Sequence, residues 1–241
     1  MGTGQRKAAR PGPAAPAGLS CEVVLDAALG LIDEAGPDGF TMRALARRLG
    51  VYPTAIYWYF PRKNDLLAAL VAHALRDLLP QADPRDWQAF IAELFGRYRA
   101  AMRRHPHVAG LTGASLVSNA AVDLGLIDRI IAALGHAGCP DDRLLAAFDV
   151  VVSSMAGFAT MEFASLPAED QADWAEGMRA AVAGIDAVRH PHLHRFRAQM
   201  ANRHFMLRWE NGTTAPLDAG FAAHVAIVIA GLHAFIHRSE I

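Results

Sequence analysis

The chain has 241 residues, of which 53% are hydrophobic and 20% charged, a balance that excludes a disordered protein and predicts one large folded domain or two small ones. Its two cysteines, Cys21 and Cys139, are too few for a disulfide framework and lack the CxxC spacing of a sulfur-rich zinc site. A signal peptide requires an apolar stretch after its first basic residues, and this sequence has none there. We therefore expect a cytoplasmic protein that does not enter a membrane.

The net charge of −1 hides an uneven distribution along the chain. Residues 1–64 contain eight basic and five acidic side chains, so this part carries +3 and the remainder −4. Such an asymmetry is typical of a nucleic-acid-binding head on a neutral or acidic body, although three charges also lie within ordinary scatter.

The first 18 residues consist mainly of Gly, Ala and Pro with Arg6, Lys7 and Arg10, and none of them is suited to a core. Residues 1–18 are therefore predicted to be a flexible basic arm. It is either a solvated tail or a segment that follows a phosphate backbone.

Residues 19–67 are predicted to form three helices. The first begins at the N-cap Ser20 and stops at Gly36-Pro37, because its apolar residues recur with the period of one helix face. The second, short helix follows Thr41 and ends at Gly50. The third starts at Pro53, where a first helical turn tolerates the missing N–H.

The remaining chain, residues 68–241, is predicted to be a larger helical domain. Breaker dipeptides separate its periodic segments, and no run of alternating β-branched residues supports a sheet, so the fold class is all-α. The helices expected after the third are 63–79, 86–104, 107–113, 119–137, 141–165, 168–184, 192–207 and 216–238.

The last of these helices is apolar on two sides. Large residues from Leu217 to Leu232 line one side, and mostly small residues line the other. A helix of this kind packs against its own core and against a partner, although a central helix of a monomer has the same pattern. The small-residue side consists of Gly220, Ala223, Ile227, Ala230 and Ala234.

The segment from Thr41 to Lys63 has the dimensions of a helix-turn-helix, whose second helix lies in a major groove of DNA. Nearby arginines and lysine are suited to neutralising phosphates. The aromatic run Tyr57, Trp58 and Tyr59 cannot all face a three-helix core, so at least one ring should point outward, towards DNA. Alternatively, all three rings pack between the head and the next helix.

Segment 20–67 resembles the DNA-binding head of the TetR-type transcriptional repressors, and most of all the tetracycline repressor branch of that family. The likeness covers about 48 residues without a gap. It is carried by Ile32-Asp33-Glu34-Ala35-Gly36, Phe40-Thr41-Met42-Arg43, Leu45-Ala46, Leu49-Gly50-Val51, Ile56-Tyr57-Trp58-Tyr59-Phe60, Lys63 and Leu66-Leu67. A fainter likeness continues into the body, at Asp86-Trp87-Gln88 and at the helix from Asp141.

This resemblance implies a ligand-responsive repressor that binds a palindromic double-stranded DNA operator as a homodimer. Dimerisation is expected through helices 141–165 and 216–238. By position, Arg43 is suited to a bidentate contact with guanine, and Tyr57, Tyr59 and Lys63 are expected at phosphates. The residues expected at DNA are Thr41, Met42, Arg43, Tyr52, Pro53, Thr54, Ala55, Tyr57, Trp58, Tyr59 and Lys63.

The resemblance also implies a small-molecule inducer. Leu79 and Leu94 stand where the tetracycline repressor has a pocket histidine and a polar amide, so magnesium-chelated tetracycline is not the expected ligand. We expect instead a small apolar molecule, aromatic or polycyclic, although any one of the residues concerned could be ordinary core. The expected lining residues are Phe95, Tyr98, Met102, Leu111, Thr112, Ser115, Met155, Phe158 and Phe163.

No metal site, cofactor or catalytic centre is predicted. The histidines around His105-Pro106 and His190-Pro191 lie at helix junctions, where they more readily cap carbonyls than converge on zinc. No nucleophile elbow, phosphate loop or HExxH motif is present. The alternatives to a repressor are a helical small-molecule-binding or enzymatic protein that does not bind an operator, and a purely structural dimer.

Overall fold

The computed structural model describes residues 18–112, 123–167 and 170–238, and within them all regular structure is helical. The basic arm up to residue 17 and Ser115 lie outside the described residues. A short 3₁₀ helix, Pro106–Val108, follows α5, and residues 109–112 are again helical. The α-helices are α1 (Cys21–Gly39), α2 (Met42–Leu49), α3 (Pro53–Tyr59), α4 (Lys63–Ala74), α5 (Trp87–Arg104), α6 (Leu124–His136), α7 (Asp141–Glu162), α8 (Gln171–Ala183), α9 (Pro191–Met200) and α10 (Asp218–Ile236).

Helix α1 begins as predicted and ends beyond a kink. The Ser20 hydroxyl accepts the Val23 N–H at 3.2 Å, which satisfies one of the free amides of the first turn. Gly36 has φ 69°, a left-handed conformation that glycine adopts without a steric penalty, and it breaks the helix before Pro37. The last residues to Gly39 therefore form a turn on a different axis.

Helices α1, α2 and α3 enclose one core, and α4 packs on α1 and leads into the body. The body is built from α5, α6, α7 and α10, which pack against each other, whereas α8 and α9 lie at its periphery. Helix α9 contains no buried residue. The observed architecture is the predicted one, a small three-helix head joined to a larger helical body.

Several predicted helices end a few residues early, and two of them end well before the residue that their sequence periods indicate. Helix α4 was expected to reach residue 79 but stops at Ala74, and the Asp77 carbonyl accepts an N–H of Arg97 at 2.9 Å instead of continuing a helix. Helix α9 was expected to reach residue 207 but stops at Met200. There Asn202 has φ 58° and its side chain accepts the amides of Trp209 and Glu210, so a local side-chain cap replaces helical hydrogen bonds.

Helix α10 has the two-sided surface that its sequence predicted. Leu217 and Leu232 are buried against the core of the body, while the small-residue side from Gly220 to Ala234 is exposed. Helices α7 and α10 are also long and apolar enough to cross a membrane by length and composition alone, which is weak evidence for such a role. The core of a single chain therefore does not account for the apolar residues on the exposed side of α10.

Candidate nucleic-acid interface and ligand site

The helix-turn-helix is held by local backbone contacts. The Thr41 hydroxyl accepts the Ala44 N–H at 3.1 Å and caps α2. Gly50 ends α2 at φ 65°, with its N–H bonded to the last carbonyls of the helix. Pro53 occupies the first turn of α3, where no N–H is needed. These caps fix the angle at which α3 leaves the head.

Helix α3 turns most of its surface to solvent. Ile56 is its one buried residue, whereas Tyr52 is 84% exposed, Trp58 57% and Tyr57 44%. Thr54 is exposed near the N-terminus of the helix, where Ala55 is partly covered. The prediction that at least one ring of the aromatic run points outward is therefore confirmed. Large apolar rings with polar edges are unfavourable in water and suited to a partner.

The arginines of α2 differ in what they already bind. Arg43 and Arg47 are exposed and one turn apart, and neither makes a hydrogen bond or ion pair with a described residue. Arg48 instead donates to Glu34 on α1 at 2.6 Å. The carboxylate raises the pKa of Arg48, and the guanidinium lowers the pKa of Glu34. Arg43 and Arg47 are thus the α2 arginines that remain available for phosphates or bases.

Three of the residues expected at DNA have other tasks in the fold. Met42 is only 8% exposed, so its side chain belongs to the core and could offer DNA no more than its backbone. The Tyr59 hydroxyl donates its hydrogen to the Leu19 carbonyl at 2.5 Å and has none left for a phosphate. Lys63 donates to the Phe40 carbonyl at 3.2 Å but keeps further N–H groups free.

In the body, an aromatic cluster forms where α5, α7 and α10 meet. Its centre is Phe158, whose ring lies 5.1 Å from those of Phe205 and His224 and 5.5 Å from that of Phe221. Phe95 lies 5.9 Å from His224. Of the predicted lining residues that the structure describes, all are buried except Leu111, which is partly buried. Phe95 and Phe158 are thus brought together through His224, which sequence reasoning did not select.

Tyr98 supplies a polar group in this buried region. Its hydroxyl is buried and makes no hydrogen bond of ordinary geometry with the described residues. Burial raises the pKa of Tyr98, while the nearby hydroxyls of Thr112 and Thr160 act in the opposite direction. Thr112 donates its own hydrogen to the Ala109 carbonyl at 2.7 Å. An acceptor on a ligand is one partner that the Tyr98 hydroxyl could take.

A buried ion pair closes one side of the aromatic cluster. Arg99 on α5 donates to both carboxylate oxygens of Glu162 on α7, at 2.7 and 2.6 Å, and its guanidinium lies 4.5 Å from the centre of the Phe221 ring. A second carboxylate, Asp218, lies 2.8 Å from Arg99. Both carboxylates raise the pKa of Arg99. The sequence held one signal of this site, since Glu162 is the sole charged residue between Asp149 and Glu169.

Comparison with known protein families identifies both parts of the chain. Residues 24–70 match the model described as bacterial regulatory proteins, tetR family, and residues 79–236 match the tetracyclin repressor-like C-terminal domain. The chain belongs to the TetR family. The predicted family and the all-α fold with an N-terminal helix-turn-helix are thereby confirmed.

Sequence similarity to the tetracycline repressors covers about a third of the chain. The tetracycline repressor class A of transposon 1721 from Escherichia coli is 41% identical over 88 residues, 35% of this chain and 40% of that repressor. The chain thus matches about two fifths of the length of this relative. BioQ, solved with its natural double-stranded DNA operator, is 31% identical, with a TM-score of 0.55 over 69% of this chain and 97% of that one.

Solved TetR-family structures share the fold over nearly the whole chain. ActR of Streptomyces coelicolor, solved in complex with actinorhodin, is 20% identical, with a TM-score of 0.68 over 93% of this chain and 100% of that one. In the present TetR-family chain, Leu94 is fully buried and Leu79 is exposed beyond the end of α4. No three His, Cys, Asp or Glu side chains of the described residues lie close enough to share a metal ion.

Proposed function

We propose that this chain is a ligand-responsive transcriptional repressor that binds a palindromic double-stranded DNA operator as a homodimer. A small apolar or aromatic molecule releases it. The observation that carries the proposal is the exposed surface next to α2, where Tyr52, Tyr57 and Trp58 are uncovered. On α2, the exposed Arg43 and Arg47 have no hydrogen-bond or ion-pair partner among the described residues. Such a regulator acts in the cytoplasm and requires no cofactor.

In the DNA complex, the N-terminus of α3 enters the major groove. Tyr52, Pro53, Thr54 and Ala55 then face base edges, because the first turn of a recognition helix is the part that reaches them. Arg43 is exposed, makes no hydrogen bond with any residue that the structure describes, and is suited to a bidentate contact with guanine O6 and N7. BioQ, a similar chain, has been solved with its natural double-stranded DNA operator, which supports operator binding but does not specify these contacts.

The homodimer is proposed to form through α7 and α10. Gly220, Ala223, Ala230 and Ala234 are exposed on α10 and permit close approach of a second backbone. Ile227, 71% exposed in the middle of this surface, is too large an apolar group to remain in water without a partner. Exposed Leu145, Val150 and Met161 on α7 extend the apolar surface.

The inducer is proposed to bind among the aromatic side chains of the body. Phe95, Met102, Met155, Phe158 and Phe163 supply the apolar contacts, and Tyr98 supplies a hydroxyl without a hydrogen-bond partner in the described part of the chain. A pocket with many apolar residues and few polar groups selects an apolar or aromatic ligand. The complex of ActR with actinorhodin supports a small-molecule ligand for this fold.

Selection of bound sequences from random duplex DNA tests this function. The full chain should enrich one inverted repeat, and a variant with Arg43→Ala and Arg47→Ala should enrich none. Arg189→Ala is the matched control, because Arg189 is also exposed but lies far along the chain, before α9. If the wild-type chain enriches no sequence, the protein is instead a helical small-molecule-binding or enzymatic protein without operator binding.

A further inference from the structure

The segment between α9 and α10, residues 201–217, covers the aromatic cluster and is called here the covering segment. It has no helix of its own and is fastened to the end of α7. The N–H groups of Gly212 and Leu217 donate to the backbone and side chain of Glu162, at 2.7 and 2.9 Å. Phe205 from the same segment packs edge-on against Phe158 at 5.1 Å. Any ligand among these rings therefore lies next to the covering segment.

Arg208 is the cation of the covering segment that faces inward. Its Nε donates to the Glu210 carbonyl at 3.0 Å and its Nη2 to the Ala215 carbonyl at 2.8 Å, so both of these acceptors are neutral. Nη1 is buried and has no hydrogen-bond partner among the described residues. The N–H groups of Nη1 and one N–H of Nη2 therefore remain without an acceptor among the described residues. Two such parallel N–H groups form a fork that can bind both oxygens of a carboxylate.

No carboxylate of the described residues fills that fork. Both oxygens of Glu162 are already taken by Arg99, and one of them also accepts the Leu217 N–H. Asp218 is bound by Arg99 and Arg103. In this region Arg99 therefore has two carboxylate partners, whereas Arg208 contacts no carboxylate of the described residues. Burial lowers the pKa of Arg208, against the opposing effect of Glu162 and Glu210.

We propose that Arg208 is the anion-binding residue of the ligand site and that the ligand is an aromatic acid, bearing a carboxylate or an ionised phenol. The anion occupies the free fork of Arg208, while the rings lie against Phe158 and Phe205. A buried, charge-assisted pair of this geometry discriminates strongly against an uncharged analogue, because the guanidinium then stays unpaired. This inference rests on the proposed ligand site in the body and names the chemistry of its ligand.

The test uses matched pairs of one acid and its neutral amide with the full chain. The pairs are 2-naphthoate with 2-naphthamide and anthracene-2-carboxylate with anthracene-2-carboxamide, titrated by isothermal calorimetry at pH 7. We expect the acid of at least one pair to bind 10-fold or more tightly than its amide. The preference should fall below twofold in Arg208→Met and remain in Arg195→Met, an exposed arginine of α9 that has no ion pair with a described residue.

The outcomes separate this inference from the proposed function. Equal affinity for acid and amide, no binding by either acid, or a preference that persists in Arg208→Met overturns the role of Arg208. Operator enrichment by the same protein leaves the repressor function standing in all three cases. If Arg208→Met does not fold, Arg208→Lys replaces it. That variant keeps the charge without the fork, and it should lower the acid preference at least threefold.

Discussion

Arg99 and Glu162 are the clearest case of a single contact on which the body depends. They form the most buried ion pair among the described residues, and they connect α5 to α7 and, through Leu217, to the start of α10. Removing one partner of a buried pair leaves the other charge without compensation, which costs about 3 to 5 kcal/mol. Loss of either residue should therefore destabilise the folded body.

Replacing Arg99 by Gln should accordingly lower the free energy of unfolding by about 3 to 5 kcal/mol, because the buried Glu162 carboxyl loses its guanidinium partner. Urea denaturation followed by circular dichroism measures the change. Arg85→Gln is the control, since Arg85 and its partner Asp83 are both well exposed, and we expect no measurable effect there. Equal unfolding midpoints for the two variants would contradict the prediction.

A second prediction at the residue scale concerns Arg43. Arg43→Ala should weaken operator binding by about 1 to 3 kcal/mol and relax the preference at one base position in each half-site. The cause is the loss of the proposed bidentate contact, which Arg43 can make because no described residue binds its guanidinium. Fluorescence anisotropy with the selected operator and single-base variants measures both effects, with Arg189→Ala as the control. A uniform loss across all sequences would assign Arg43 to phosphates instead.

At the scale of whole elements, a carboxylate on α5 binds the connecting segment that precedes this helix. Glu93 on α5 accepts the backbone N–H groups of Gln81 and Ala82, at 3.1 and 2.8 Å, and pairs with Arg97. These hydrogen bonds, those from the backbone first, lower the pKa of Glu93 to about 2 from its ordinary value of 4.5. Glu93 therefore fastens the connection from α4 to α5.

The lowered pKa of Glu93 implies acid sensitivity. The stabilisation is fully present above the unfolded-state pKa and is lost as the pH falls from about 5 towards the folded-state value near 2. Glu93→Gln should therefore reduce stability at pH 7 and flatten its decline over this range. Urea unfolding at intervals of half a pH unit measures both curves. Parallel curves for wild type and variant would show that Glu93 does not contribute to the acid sensitivity.

The proposed homodimer depends on the exposed surface of α10. Ala230→Arg should leave the monomer folded, because Ala230 is exposed in the single chain, yet it places a charge where two helices are proposed to meet. We expect a monomer at micromolar concentration in analytical ultracentrifugation. Ala89→Arg, an exposed alanine in the first turn of α5, should stay dimeric. A dimeric Ala230→Arg variant would place the interface elsewhere.

At the scale of the molecule, head and body meet at the kink of α1. His105, at the end of α5, pairs with Asp33 at 2.8 Å, and His107 lies against Gly36, where a Cβ atom would be 3.7 Å from its ring. The 3₁₀ helix that follows α5 packs on α1 as well. A shift of these segments on ligand binding would therefore be passed directly to the head.

His105→Ala should uncouple the two parts. A 100-fold loss of operator affinity on ligand binding corresponds to about 2.7 kcal/mol of coupling, and removing the Asp33 contact should reduce that factor while ligand affinity itself stays close to wild type. Operator titrations with and without the aromatic acid measure it. His192→Ala, on the exposed side of α9, serves as the control. If the ligand still fully released the His105→Ala variant from its operator, other contacts would carry the coupling.

The head and the two sides of α10 could be predicted from the sequence, because the forces that determine them act over a few residues. Ser20 and Thr41 cap their helices as expected, Gly50 and Pro53 occupy the positions that their backbone preferences require, and α10 divides into a core side and an uncovered side by helical period. Residue type and spacing alone carry that information.

Which partner each polar side chain binds depends on the tertiary structure. Arg48 is held by Glu34, while Arg47 beside it has no ion pair with a described residue, and Met42 faces the core. Helix α9 ends where the Asn202 side chain accepts the amides of Trp209 and Glu210. Arg99 and Glu162 lie 63 positions apart in the sequence. Such pairings depend on which helix surfaces meet when the core is buried, and spacing along the chain contains no record of that choice.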